Sequence, residues 1–247
     1  MLQKNAADGI HLIEDAYVNW FIVEEDSRLT IVDTGHPASW KSLHSALVDL
    51  HRSTADIEAI VLTHAHFDHM GFAKRAQSEL GVDIWAHEQE VPVTRHPWRY
   101  DHERRRLPYF IRYPRFVKIF TAMGAAGALR VKGVDRVKTY GSATQLDVPG
   151  RPEVVFTPGH THGHCALNFP QRGAVIAGDA IVTLNPYTGH TGPQIVSGAA
   201  TADSTQALAS LDALAATRAG AVLTGHGPVW TQGVTMAVER ARAAGPS

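Results

Sequence analysis

Four metal-competent side chains fall within six consecutive residues, His64-Ala65-His66-Phe67-Asp68-His69, and this hexapeptide constrains the chain more than any other feature. It follows an apolar run, Ile57, Ala59, Ile60, Val61 and Leu62, that reads as a buried strand. Imidazole and carboxylate suit zinc and its divalent neighbours. In extended backbone His64 and His66 point to one side, because side chains alternate with period two. A tight turn then lets Asp68 and His69 face a second point nearby. The spacing suits two adjacent ions better than one. A chance group of surface histidines rarely carries this order at a strand end.

Three later segments each carry an apolar run followed by glycine and a metal-competent side chain. Thr157-Pro158-Gly159-His160-Thr161-His162-Gly163-His164 follows Val154, Val155 and Phe156. Gly178-Asp179 follows Ala174 to Ala177, and Thr224-Gly225-His226-Gly227 follows Ala221-Val222-Leu223. Glycine permits a sharp turn and a close backbone approach there. Strand ends converging on one spot are how α/β scaffolds build a site.

Composition narrows the class. The chain has 247 residues, 44% of them hydrophobic, enough for a sizeable core. A formal net charge of -1 argues against a general polyanion-binding surface and so against a nucleic-acid partner. A single cysteine, Cys165, excludes an intramolecular disulfide framework and reads as a small buried hydrophobe. The first eight residues lack the apolar core of an export signal, and no run approaches a membrane span, so a reducing, cytoplasmic location is expected. Of the fifteen histidines, His11, His44, His51 and His102 read as ordinary surface or helix residues.

Element order follows from periodicity. Residues 10 to 35 read as β-strands, with Tyr17, Trp20, Phe21, Ile22 and Val23 β-favouring, Leu29 to Val32 a second run, and a turn at Glu25-Asp26 between them. Residues 38 to 52 read as an amphipathic helix carrying Trp40, Leu43, Leu47 and Leu50. Gly71 to Leu80 reads as a helix ended by Gly81, and Val82 to Ala86 as a strand. Residues 152 to 182 read as strand, loop, strand, turn, strand; 203 to 218 as a helix capped at Thr201 or Asp203; and Val234 to Ala244 as a last helix.

The series His64-x-His66-x-Asp68-His69, His160, Asp179 and His226 resembles the metallo-β-lactamase superfamily. The strand Leu29 to Val32 running into Asp33-Thr34-Gly35 resembles its first strands and loop, and Ser210-Leu211 before the Gly225-His226-Gly227 turn also fits. The resemblance covers roughly residues 10 to 230 and is least family-like from about 90 to 145. It implies an α/β (α+β) four-layer αββα sandwich, one domain spanning residues 1–247 with a variable helical insertion at about 90–145.

Carried over residue by residue, the resemblance implies two divalent ions, zinc first, with iron and manganese as the other candidates. His64, His66 and His160 would bind one; Asp68, His69 and His226 the other; Asp179 would bridge them. It implies a hydroxide shared between the ions that attacks a small ester, lactone or thioester, with Asp68 passing a proton to the leaving group. Aspartate at position 179 is similar to lactonases, glyoxalase II-like thioesterases and RNA-processing members; zinc β-lactamases typically carry cysteine there. Asp33 would brace the ligand loop by hydrogen bonds. His164 matches a position that is usually structural, whereas His162 stands where proline is usual. A phosphodiesterase acting on RNA and a mononuclear iron dioxygenase of the same fold are the alternatives.

Residues 93 to 118 contain eight lysines or arginines, only Asp101 and Glu103 as acids, and interleaved aromatics. Phe110, Tyr113, Phe116, Val117 and Phe120 fit one helical stripe, which Pro114 must either kink or begin. Three uses remain open: a packed insertion with a solvated basic face, a lid that selects a small-molecule substrate, or a single-stranded nucleic-acid surface. The stripe across 107 to 123 could equally be a homodimer contact. In the loop Thr183 to Gln194, Tyr187 and His190 are candidate substrate contacts.

Overall fold

Strict alternation along the N-terminal strands sets the layering. In the computed structural model, which describes residues 1–142 and 144–247, β1 (Leu2–Ala7), β2 (Ile10–Asp15), β3 (Val18–Glu25) and β4 (Arg28–Val32) form an antiparallel meander. Trp20 and Ile22 of β3 face one side and Phe21 and Val23 the other, and all four are fully buried. A strand buried on both faces needs a covering layer on each.

Helical crossovers extend the sheet in parallel fashion. α1 (Ser39–Asp49) leads to β5 (Ile57–Val61), and α2 (Ala73–Leu80) leads to β6 (Asp83–His87). After α3 (Val91–Arg95), α4 (Leu107–Arg112) and α5 (Pro114–Ala125), β7 (Lys138–Tyr140) completes a seven-stranded sheet in the order β1 to β7. The second sheet holds β8 (Glu153–Phe156), β9 (Cys165–Phe169) and β10 (Ala174–Gly178). The chain then makes a ribbon, β11 (Val182–Leu184) with β12 (Thr191–Gln194), and α6 (Ser204–Ala216). β13 (Ala221–Thr224) pairs in parallel with β10, and α7 (Val234–Ala244) follows.

Three apolar cores separate four layers. Trp40, Leu43 and Leu47 of α1, with Phe72 and Ala76, cover the outer face of the large sheet. Phe21, Val32 and Val61 meet Leu167, Phe169, Ile176 and Leu223 between the sheets. Leu211 and Leu214 of α6 and Ala237 and Val238 of α7 cover the outer face of the small sheet through Val175, Ala177 and Val222. The layers are therefore helix, sheet, sheet, helix, as the resemblance implied. Cys165 is buried in the central core, and burial pushes its thiol pKa up.

Several local details depart from the sequence reading. β1 was not anticipated, because Gln3, Lys4 and Asn5 are polar and solvent-facing and the strand exists only through pairing with β2. β7 is too short to show a period, and the loop 183–194 begins and ends in ribbon strands. His11 is not a surface residue: it is 4% exposed within β2 and faces the Glu24 carboxylate at 3.3 Å. The helix expected from Gly71 starts at Ala73, because Gly71 packs directly on the backbone of Gly35 and His36, where a side chain would not fit. Pro114 begins α5 rather than kinking a longer helix. The stripe is divided: Phe116, Ile119 and Met123 are buried, whereas Phe110 and Val117 are exposed. No helix among the described residues is long and apolar enough to cross a membrane.

Asp15 pairs with Val18, so Ala16 and Tyr17 alone make the β2–β3 turn, at φ of 49° and 69°. Two successive left-handed residues match the twist of a hairpin but penalise ordinary side chains. Ala16→Asn should therefore stabilise the protein by about 1 kcal/mol. Phe21→Ala should destabilise it by about 3–5 kcal/mol, since the ring lies between the sheets. Urea titrations of both variants check the pair; a neutral Phe21→Ala would contradict the assignment of the central core.

Candidate metal centre

The loop after β5 carries His64, His66, Asp68 and His69; the loop between β8 and β9 carries His160; Asp179 follows β10; His226 follows β13. All seven are buried, and they meet at the ends of β5, β8, β10 and β13. Ligand atoms of His64, His66 and His160 lie within 4.8 Å of one another, as do those of Asp68, His69 and His226. Asp179 sits between the groups. One carboxylate oxygen is 3.4 Å from His160 Nε2 and 3.3 Å from His226 Nε2, and the other is 3.7 Å from His69 Nε2.

Hydrogen bonds at the far side of the rings decide which nitrogen faces inward. His69 Nδ1 donates to Asp33 Oδ2 at 2.9 Å, and His226 Nδ1 to the Tyr17 carbonyl at 2.7 Å. Thr63 Oγ1 donates to Asp33 and so receives His64 Nδ1–H at 3.0 Å. Thr201 Oγ1 donates to the Val196 carbonyl and so receives His160 Nδ1–H at 3.3 Å. That leaves Nε2 of all four rings facing the centre, where His160 Nε2 meets His66 Nδ1 at 3.0 Å. Nε2 of His64, His66, His69 and His226 and one Asp179 oxygen are buried with no hydrogen-bond partner. Orphaned buried acceptors are costly and uncommon. Four such atoms, of His64, His69, His226 and Asp179, gather beside the His66–His160 pair, and with no thiolate among them they fit one or two divalent cations of borderline-to-hard character.

Electrostatics agree. Burial alone would lower the pKa of His69, but the carboxylates of Asp33 and Asp179 raise it to about 10. Burial lowers His160 to about 4. Burial would raise Asp179, yet His226 and His69 hold it far below the usual carboxylate range. The centre thus demands positive charge, and a divalent ion would supply it while leaving the imidazoles neutral.

Asp33 does brace the loop. Fully buried at the end of β4, it accepts from the Thr63 amide and hydroxyl, each at 2.8 Å, as well as from His69. His164 points away from the centre: its Nδ1 meets Thr157 Oγ1 at 2.8 Å and its Nε2 receives the Asp179 amide at 3.0 Å, which orients the carboxylate between the two groups. His162 is exposed and pairs with Asp101 at 3.1 Å.

Three contributors were not singled out from sequence. Glu90, 1% exposed, accepts from the amides of Ala65 at 2.8 Å and Gly163 at 2.9 Å, tying the first ligand loop to the second. Its position in an ordinary Glu-Gln-Glu stretch gives no signal. His36 is fully buried beside the centre with neither ring nitrogen partnered, and burial lowers its pKa to about 4. Tyr100 lays its ring on His66, centroids 3.7 Å apart.

A small cavity of about 20 Å³ remains over the centre, room for about one water. Metal-competent residues form its floor, and Phe67, Phe116, Phe120, Met123 and Tyr187 form its walls. α5 therefore closes the site, and Tyr187, 5% exposed, is part of it, whereas His190 is exposed and packs on Tyr113 instead.

An αββα sandwich with a histidine- and carboxylate-rich cluster at its open edge defines a metal-dependent hydrolase class. The chain belongs to the metallo-β-lactamase superfamily, whose sequence model matches residues 13–226. It is similar to the probable metallo-hydrolase YflN of Bacillus subtilis, 25% identical over 244 residues, or 90% of this chain and 85% of that protein. It is 32% identical to a hydroxyacylglutathione hydrolase of Synechococcus over 104 residues, 42% of this chain and 37% of the relative. Among solved structures, a metallo-β-lactamase family protein of Thermus thermophilus superposes with a TM-score of 0.70 at 25% identity, covering 96% of this chain and 79% of that one.

Replacing Glu90 by Leu leaves two buried amides without acceptors, each costing about 1–3 kcal/mol, and loosens both ligand loops. Glu90→Leu should lower the unfolding midpoint in urea and weaken zinc binding by about 10–100-fold in a chelator competition. Glu90→Gln, which keeps one acceptor oxygen, should lose less of both; equal losses would contradict the bridging role.

Proposed function

We propose that the protein is a binuclear metal-dependent hydrolase that cleaves a small ester, lactone or thioester, and that it works in the reducing cytoplasm. The observation that carries this reading is the set of unpartnered buried atoms of His64, His69, His226 and Asp179 at a cavity with apolar walls. His64, His66 and His160 would hold one ion, Asp68, His69 and His226 the second, and Asp179 would touch both. Bound there, zinc or a similar divalent pair would supply a hydroxide at neutral pH and polarise a carbonyl.

The remaining steps belong to side chains. Asp68 lines the cavity with its carboxylate 3.5 Å from His226 Nε2. Its oxygen takes the proton released as the oxygen–carbon bond forms and returns it to the leaving oxygen or sulfur as the acyl bond breaks. Burial pushes the Tyr187 hydroxyl up to about 12, so it stays protonated at neutral pH and donates to a substrate oxygen. Phe67, Phe116, Phe120 and Met123 exclude bulk water, which strengthens these contacts. Space for about one water means that the aromatic wall must shift outward to admit an acyl group. Similarity to a hydroxyacylglutathione hydrolase supports an acyl substrate.

Metal analysis of the purified protein, combined with a panel of lactones, thioesters, aryl esters, β-lactams and bis-nitrophenyl phosphate, tests the reading. Near two divalent ions per chain and acyl cleavage are expected, with Asp68→Asn lowering kcat by about 10²–10⁴-fold while circular dichroism stays unchanged. About one iron per chain, no hydrolysis and oxygen uptake with a persulfide would overturn it in favour of a dioxygenase; cleavage of the phosphodiester alone would favour the other alternative.

A further inference from the structure

Beside the metal cavity, on the outer side of the helical segment, lies a second and larger concavity of about 510 Å³ lined by Arg104, Arg105, Tyr109, Arg112, Tyr113 and Ser247. One aromatic layer separates the two spaces. Tyr109 lines the groove and meets Tyr187 edge-on at 5.8 Å, and Tyr187 lines the cavity.

Three arginine side chains give the groove its positive charge. Among the described residues Arg104, Arg105 and Arg112 form no ion pair with a carboxylate, and the one side-chain bond among them runs from Arg112 Nε to the Tyr113 hydroxyl at 3.3 Å. Both acids of this basic stretch are engaged elsewhere: Glu103 accepts from the Ser204 amide at 2.8 Å and its hydroxyl at 2.6 Å, and Asp101 pairs with His162. Arg106 is also spent, bonding the Ala199 carbonyl at 3.1 Å and covering the Tyr100 ring. Ser247 lines the same groove, and its carbonyl oxygen accepts from the Tyr109 hydroxyl and the Gly198 amide, both at 3.0 Å. In a chain whose formal charge is only -1, this is a local concentration of unpaired positive charge, not a general property of the surface.

Three guanidiniums in fork geometry recognise phosphate oxygens. Tyr113, half-buried with the Tyr109 ring at 5.8 Å and the Arg112 guanidinium over its own ring at 5.7 Å, lines the groove and leaves its edge for a planar ring. We propose that the groove binds the phosphate-bearing carrier end of a thioester or ester whose acyl end enters the metal cavity. This rests on the hydrolase reading above and narrows its substrate to an acyl group on a phosphorylated, ring-containing handle. The division also fits the sizes: the cavity admits little beyond the acyl carbon region, and the groove has room for a nucleotide-sized group.

The test uses two acetyl thioesters that share the reacting bond, one of coenzyme A and one of N-acetylcysteamine, which lacks the phosphates and the ring. Wild-type enzyme should show a KM about 10–100-fold lower for the coenzyme A thioester. Arg105→Glu/Arg112→Glu, changed at two exposed positions, should erase that difference through KM while leaving kcat and the N-acetylcysteamine reaction unchanged. In parallel, calorimetry with free coenzyme A should show binding to the wild type that the double variant loses and that weakens with salt. Equal KM values for both thioesters, or coenzyme A binding that survives the double substitution, would overturn the groove. Coenzyme A binding lost in the variant, with neither thioester cleaved by metal-loaded protein, would uphold the groove and overturn the acyl-hydrolase reading.

Discussion

The hydrogen bonds to Asp33 hold the site and the fold in one unit. The residue ends β4 with its own amide bonded to the Val61 carbonyl of the next strand at 3.0 Å, in left-handed backbone at φ of 58°. That conformation turns its carboxylate under the first ligand loop, where three donors saturate it. Thr34 then takes the His69 carbonyl through both amide and hydroxyl, and Gly71 bonds Gly35. A buried carboxylate without such donors would be driven to neutrality. With them it fixes the tautomer of His69, and through Thr63 that of His64. Removing one partner of a buried charged pair of this kind typically costs about 3–5 kcal/mol, so local geometry and global stability are not separable here.

The same logic accounts for the rest of the centre. Each inward-facing Nε2 is aimed by an outward Nδ1 contact from a different element: Asp33 after β4, Thr63 after β5, Thr201 before α6, and the Tyr17 carbonyl in the β2–β3 turn. The strained turn at Ala16 and Tyr17 places that carbonyl, which gives local backbone strain a use. Glu90 and His164 add cross-links between loops and to the Asp179 amide. A rigid frame of this sort leaves its strain and its unpartnered atoms at the centre, where a cation can relieve them.

The residues at strand ends were legible in the sequence because their pattern is local: an apolar run, then imidazole or carboxylate, with glycine before His160, Asp179 and His226. The layer-forming elements were legible for the same reason, since Trp20 to Val23 and Leu29 to Val32 are too apolar for any exposed position. What stayed hidden depends on distant partners. Glu90 acts on Ala65 and Gly163, and its neighbours Glu88 and Gln89 look equally suited. Tyr100 was one aromatic among several until the fold set it on His66. β1 is polar and owes its existence to pairing, so no period could reveal it.

The helical segment shows how one short stretch can serve two purposes. Pro114 starts α5 and sets its phase, so that Phe116, Ile119 and Met123 turn inward and the arginines stay at the surface. Phe116 stacks on Tyr187 at 5.1 Å, which locks the wall of the cavity to the loop after Asp179. Contacts of this kind are apolar and lack the directional bonds that fix the ligand loops, so the wall can yield at modest cost while the metal-competent cluster cannot. Stability is concentrated beneath the chemistry and adaptability above it, which is the distribution a closed hydrolytic site needs if substrate is to enter and water is to be kept out.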